Sequence, residues 1–256
     1  MQAQEIAHFI EQLAPPKGNE EGFRWGDRQA EVTAVLVCWM PTLDAIERCA
    51  AEGLNLLITH EEMHYPYPWR GGGLEQHLSW RVNVRRISRL ARADLTVYRA
   101  HGMLDRFCIH EDFAVLLGLP EPSVREGHQW VCDIAPLPLR DLIEQVKQRT
   151  GMPAVRVSGD LRQQVSRVGL LWGGVGLSLN ASAINALLEH NPDVLIAGEC
   201  DEYAFRMVSD CEVPMIETGH AISENPGLAH FARYLGESFP GLRVVSHAGR
   251  PAWQVC

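Results

Sequence analysis

Leu54-Asn55-Leu56-Leu57-Ile58-Thr59-His60-Glu61-Glu62-Met63-His64 is the stretch that decides the reading of this chain. Leu54 to Ile58 form an apolar run broken by one asparagine, after a helix-like segment that stops at Gly53. So short a run, bounded by a turn signal, predicts a buried strand. It delivers His60, Glu61, Glu62 and His64 in close succession. Just past the carboxyl ends of strands in α/β folds, side chains leave the core and face a crevice. Imidazole nitrogen and carboxylate oxygen in such a place suit a divalent first-row metal.

The same residues match H-E-x-x-H, a motif that works on a helix, where i and i+4 set both imidazoles on one face. Here a strand-like run precedes it, and Tyr65-Pro66-Tyr67-Pro68-Trp69-Arg70-Gly71-Gly72-Gly73 follows it. That proline- and glycine-rich continuation does not carry a helix, so the zincin reading is set aside. The aromatic segment suits a substrate lid or a rigid surface or oligomer-contact loop.

Outward from this stretch, strands and helices alternate. Toward the N-terminus, Glu5 to Leu13 predicts a short amphipathic helix and 16–28 a polar loop containing Trp25-Gly26-Asp27. Val32 to Trp39 is a strand, and Thr42 caps a helix that ends at Gly53. Toward the C-terminus, His77 to Ala93 is a basic helix whose arginines (81, 85, 86, 89, 92) read as a solvated face, or as the rim of an anionic substrate site. Leu95 to Ala100 is a strand delivering His101-Gly-Met-Leu-Asp105, and Glu111 to Gly118 a helix. Beyond Leu119-Pro-Glu-Pro-Ser123 come strand 129–135, helix 139–150, strand 165–172 ending in Gly173-Gly-Val-Gly176, and helix 180–190. Strand 193–197, a helix to Asp210 and strand 213–217 follow. Asn225-Pro226-Gly227 opens the last helix with proline at its favoured first position, and 242–247 is the last strand. Gly173-Gly-Val-Gly176 lacks the Gly-Lys-Ser/Thr of a P-loop and reads as a tight turn. This alternation predicts an α/β protein with largely parallel or mixed sheets.

The two halves echo each other. Val32-Thr-Ala-Val-Leu-Val-Cys-Trp39 parallels Val165-Ser-Arg-Val-Gly-Leu-Leu-Trp172, and Leu54 to Glu61 parallels Pro192 to Glu199. The third strand of each set ends in a histidine with an acid four residues later, His101/Asp105 and His220/Glu224. Duplication predicts two similar lobes, residues 1–122 and 123–241, with 242–256 a final strand returning to the N-terminal lobe. A metal cleft between the lobes would gather His60/Glu61, His101/Asp105 and His220/Glu224. Six such ligands exceed one four-coordinate site and suit two metal ions.

Composition narrows the function. The chain has 256 residues, 46% hydrophobic and 21% charged, which is globular. No apolar run approaches a membrane span of about 20 residues, and the first residues lack the pattern of a signal peptide. A net charge of −9 argues against a nucleic-acid partner. The 7 cysteines are scattered without C-x-x-C, which fits a reducing cytoplasm and no disulfide framework.

Leu56-Leu-Ile-Thr-His60, His101-Gly-Met-Leu-Asp105 and Thr218-Gly-His-Ala-Ile-Ser-Glu224 resemble the Nif-three-like dinuclear metal-centre proteins, whose members often carry the label type-two GTP cyclohydrolase. The resemblance covers most of the chain and implies a toroidal homohexamer holding two divalent ions (Mn, Fe or Zn). It assigns metal ligation to His60, Asp105 (as a bridge), His220 and Glu224, and a supporting place to His101, oriented toward the ligands. Gly198-Glu199 also fits the pattern. Where the family has a second early histidine this chain has Glu61, which adds charge and favours harder ions such as Mn²⁺ or Fe²⁺ over Zn²⁺; His64 is the alternative occupant. The expected function is a metal-dependent hydrolase acting on a small molecule, with Glu62, His64 or Glu199 as general acid or base. A metal-handling protein (insertase, chaperone or sensor) without catalysis is the other class.

Overall fold

A computed structural model describes residues 1–14, 20–66, 74–250 and 252–255. The chain divides into two compact units, Met1–Cys108 with Gly227–Ala252, and Ile109–Pro226 with Trp253–Cys256. Each is built on its own mixed sheet flanked by helices, as the alternating pattern predicts.

In the first unit, α1 (Ala3–Leu13) precedes β1 (Gly22–Trp25), β2 (Ala34–Cys38), α2 (Leu43–Glu52) and β3 (Leu56–Thr59). Next come α3 (Arg81–Arg92), β4 (Thr96–Arg99) and the short α4 (Gly102–Leu104). All residues of β2, β3 and β4 are buried, as expected of parallel strands covered on both faces. Thr42 accepts a hydrogen bond from the Ala45 N–H at the start of α2, and Gly53 closes that helix with φ 68, the left-handed cap that glycine takes without strain.

Asp105–Ile109 then forms a π-type turn that leads into α5 (His110–Leu117). The second unit continues with β5 (Val124–Glu126), β6 (Gln129–Pro138), α6 (Leu139–Thr150), β7 (Arg156–Val157) and β8 (Gln164–Leu171). It goes on through α7 (Ala181–Leu188), β9 (Val194–Ala197), α8 (Glu202–Asp210) and β10 (Met215–Glu217). The helix α9 (His220–Ser238) and β11 (Arg243–His247) complete the chain, and β11 pairs in parallel with β2.

The strand orders are β1-β4-β3-β2-β11 and β5-β6-β8-β9-β10-β7. Each sheet contains a consecutive parallel trio, β2-β3-β4 and β8-β9-β10, with an antiparallel strand beyond its third member, β1 and β7. The trios end in matching rows. Cys38 pairs with Thr59 and Thr59 with Arg99; Leu171 pairs with Ala197 and Ala197 with Glu217. The residues just after these rows carry the candidate chemistry of each unit.

Four local expectations change. Gly22–Trp25 lies in the expected polar loop but is a strand, because a short antiparallel edge strand needs only main-chain pairing with β4 and no apolar alternation. The helix after His77 begins at Arg81, behind a 3₁₀ turn at Leu74–His77. Its arginines are not all a solvated face: Arg86 is buried and donates to the Met63 carbonyl at 2.8 Å. Finally, α9 starts at His220, so Pro226 lies inside the helix instead of opening it. The Ser223 N–H donates to the Gly219 carbonyl (3.1 Å) and Ser223 Oγ donates to the His220 carbonyl (2.7 Å), which nucleates the first turn ahead of the proline.

Among the described residues no helix is long and apolar enough to cross a membrane. Cys38, Cys49, Cys108, Cys132, Cys200 and Cys211 are free thiols, and all but Cys211 are buried.

Candidate metal-binding site

In the first unit, β3 ends at Thr59 and the chain turns out of the sheet without forming a helix, which removes the zincin geometry. His60 is fully buried. Its Nδ1 lies 3.2 Å from the Ala100 carbonyl, a bond that places the proton on Nδ1 and leaves Nε2 for a ligand. That Nε2 sits 3.6 Å from Asp105 Oδ1. The rings of His60 and His101 stack with centroids 4.6 Å apart. One donor atom each from His60, His101 and Asp105 lie within 4.8 Å of one another, close enough to hold one ion.

His101, read from the sequence as supporting the ligands, brings a donor atom close to those of His60 and Asp105. Glu20 Oε2 accepts from its Nδ1 at 3.1 Å, and its Nε2 lies 3.9 Å from Glu61 Oε1. A carboxylate behind an imidazole is the usual device for fixing a metal-binding tautomer. Glu20 went unnoticed in the sequence because it lies in a polar loop without periodicity. Asp105 is carried by the π-type turn, a widening of the helix often found at functional positions.

Glu61 and Glu62 are both buried. Both Glu62 oxygens are engaged: Oε1 accepts from the Met63 N–H (2.8 Å) and Oε2 from Arg24 Nε (3.0 Å). His64 is buried, and its burial pushes the imidazole pKa below its ordinary value, against the opposing pull of Glu62. It stands outside the His60–His101–Asp105 group. Buried Asn83 of α3 holds the loop beyond: its Oδ1 accepts from the Tyr65 N–H (2.9 Å), and its amide donates to the carbonyls of Tyr65 (2.6 Å) and His77 (2.9 Å). Most of the proposed lid, 67–73, lies outside the described residues.

In the second unit, the first turn of α9 presents His220 and Glu224 on one face, four residues apart, with Nε2 and Oε1 3.2 Å apart. Glu199 Oε2 accepts from His220 Nδ1 at 2.8 Å, so the other ring nitrogen faces Glu224. The glycine turn after β8 lies directly over this pair. Gly173 takes φ +51, and a Cβ there would collide with Glu224 Oε1. A Cβ at Gly174 would lie 3.2 Å from His220 Cε1. The Gly173 N–H donates to Ser223 Oγ (2.8 Å), and the Gly173 carbonyl accepts from the Glu199 N–H (2.8 Å). The tight turn read from the sequence therefore encloses the His220–Glu224 pair.

Imidazole nitrogen and carboxylate oxygen make up both sets, a donor chemistry that fits divalent first-row ions. Among the described residues, His60, His101 and Asp105 bring donor atoms close enough to hold one such ion, and His220 and Glu224 pair the same atom types in the other unit.

Comparison with known proteins gives one consistent result. The family model described as Duf34/NIF3 (NGG1p interacting factor 3) matches residues 1–249. A Nostoc protein named GTP cyclohydrolase 1 type 2 homolog is 29% identical over 211 residues, covering 77% of this chain and 74% of its own. Among solved structures, Staphylococcus aureus protein SA1388 superposes with a TM-score of 0.81 at 16% identity, covering 100% of this chain and 99% of its own. A Bacillus cereus protein related to NIF3 gives the same TM-score at 14% identity, covering 100% and 99%.

Proposed function

As the chain belongs to the Duf34/NIF3 family, we propose that it is a metal-dependent hydrolase acting on a small molecule, with two divalent ions (Mn, Fe or Zn) as its cofactor. The observation that carries this reading is the convergence of His60, His101 and Asp105 donor atoms within 4.8 Å in the first unit. His60, Glu61, His101 and Asp105 would hold ions there, and His220 and Glu224 in the second unit. When bound, such ions supply a water of lowered pKa and polarise a carbonyl, amidine or phosphoryl oxygen.

The chain's own residues prepare that chemistry. Ala100 and Glu20 fix the tautomers of His60 and His101, and Glu199 that of His220. Of the three candidate proton carriers, Glu62 has both oxygens committed to Arg24 and the Met63 N–H. Burial biases His64 toward its neutral form, the form a general base uses. Glu199 is half-exposed and is coupled to His220.

The test is to strip the protein with chelator, restore Mn²⁺, Fe²⁺ or Zn²⁺ separately, and screen nucleotides, amides and phosphoesters for hydrolysis. Turnover that depends on added metal and is lost in Asp105→Ala supports the proposal. Tight metal binding with no turnover on any class would instead support a metal-handling role.

A further inference from the structure

Arg99, the last residue of β4, is 1% exposed and is the largest fully buried side chain among the described residues. Arginine is almost never buried to this degree without a specific partner. Its guanidinium has several. Nε donates to the His60 carbonyl at 3.0 Å, and Nη1 donates to the Glu20 carbonyl at 2.9 Å. Nη1 also lies 3.7 Å from Glu62 Oε2, and Nη2 lies 3.7 Å from Glu61 Oε2. Arg24 Nε shares that Glu62 oxygen, at 3.0 Å. Two guanidinium groups and two carboxylates thus form a charge-balanced quartet beside the metal-binding candidates, with Arg99, Glu61 and Glu62 buried.

The partition of the Glu61 oxygens is the informative detail. Oε2 faces Arg99, whereas Oε1 faces His101 Nε2 at 3.9 Å. We propose that Arg99 is a positioning residue: it clamps one oxygen of Glu61, offers the other to a divalent ion, and so sets which ion the site prefers. This inference rests on the metal-binding reading above.

A carboxylate held this way presents a single oxygen with part of its charge cancelled. It behaves more like an imidazole donor than a free carboxylate does. Released from the guanidinium, Glu61 could chelate with both oxygens, which favours larger, harder ions. The fork geometry matters, because a lysine ammonium is a point charge that cannot hold the His60 carbonyl and a carboxylate in the same fixed arrangement.

The experiment compares Zn²⁺ and Mn²⁺ affinities of the full-length metal-free protein by competition titration against a chelator of known affinity. The principal variant is Arg99→Met combined with Glu62→Gln, which keeps the quartet neutral and leaves Arg24 an oxygen to donate to. Arg99→Lys is the second variant and retains the charge. Circular dichroism establishes that each is folded. The expected result is a shift of the Mn²⁺-to-Zn²⁺ affinity ratio toward Mn²⁺ by about tenfold in the double variant, and a smaller shift in the same direction in Arg99→Lys. Should the double variant not fold, Arg99→Lys decides alone. An unchanged ratio in a folded variant of a metal-binding protein overturns the role of Arg99 and leaves the metal site standing. Failure of the unmodified protein to bind either ion overturns both.

Discussion

Acidification should destabilise this protein through a buried histidine that opens α5. His110, at the start of α5, is 5% exposed and lies between two indoles, with ring centroids 3.8 Å from Trp130 and 3.9 Å from Trp172. Its Nε2 is buried without a hydrogen-bond partner among the described residues. Burial, reinforced by the nearby charges of His128 and Arg125, pushes its pKa from 6.5 down to about 3. The unfolded chain therefore takes up this proton first as the pH falls. The stability tied to neutral His110 is complete above the ordinary pKa of 6.5 and is lost progressively down to about 3. At about 1.4 kcal/mol per pH unit, moving from about pH 7.5 to about pH 5 should remove about 2 kcal/mol.

His110→Phe fills the same slot with a ring that does not titrate. Urea unfolding of both proteins, followed by tryptophan fluorescence in the presence of chelator, isolates the effect, because every other titrating group is common to the pair. Between those two pH values the unmodified protein should lose about 2 kcal/mol more than the variant. At the higher pH the variant should be at least as stable, since it leaves no buried unpaired nitrogen. Parallel pH profiles for the two proteins would show that neutral His110 contributes no pH-linked stability.

Three substitutions probe other supports. Gly173→Ala forces a side chain into left-handed backbone and against Glu224; it should cost about 1–2 kcal/mol in backbone strain alone and weaken metal retention, read by thermal unfolding and metal analysis. Asn83→Leu removes three hydrogen bonds that tether Tyr65 and His77; a loss of about 2–3 kcal/mol and faster amide exchange at Tyr65 are expected. Asp201→Ala deletes the side-chain cap of α8, which accepts from the Ala204 N–H at 2.9 Å and from Ser178 Oγ at 2.7 Å; denaturant unfolding should show a loss of about 1–2 kcal/mol.

What the sequence made legible followed its strong periodicities. The buried trios read as apolar runs because both faces of those strands are covered, and Thr42 and Gly53 bracket α2 because capping is chemistry local to the chain. His60, Asp105, His220 and Glu224 stood out because each follows such a strand. β1 and β7 escaped notice because an edge strand of 4 or 2 residues is defined by its pairing and not by its own pattern. Pro226 misled because the helix start is set by Ser223 and Gly219, residues whose side-chain and main-chain bonds leave no compositional trace. Arg24, Arg99 and Glu20 were invisible as site residues for a related reason. An arginine in a polar loop and another inside an apolar strand show their common purpose only when the fold brings them to Glu62.

The proposed function stands on these residues holding divalent metal. The most direct measurement is the metal content of protein purified without added metal, by inductively coupled plasma mass spectrometry, for the unmodified chain, Asp105→Ala and Glu224→Ala. The expected result is about two equivalents of first-row metal per chain, with loss in both variants. An unmodified protein that contains no metal, and takes up none on titration with Mn²⁺, Fe²⁺ or Zn²⁺, would contradict it.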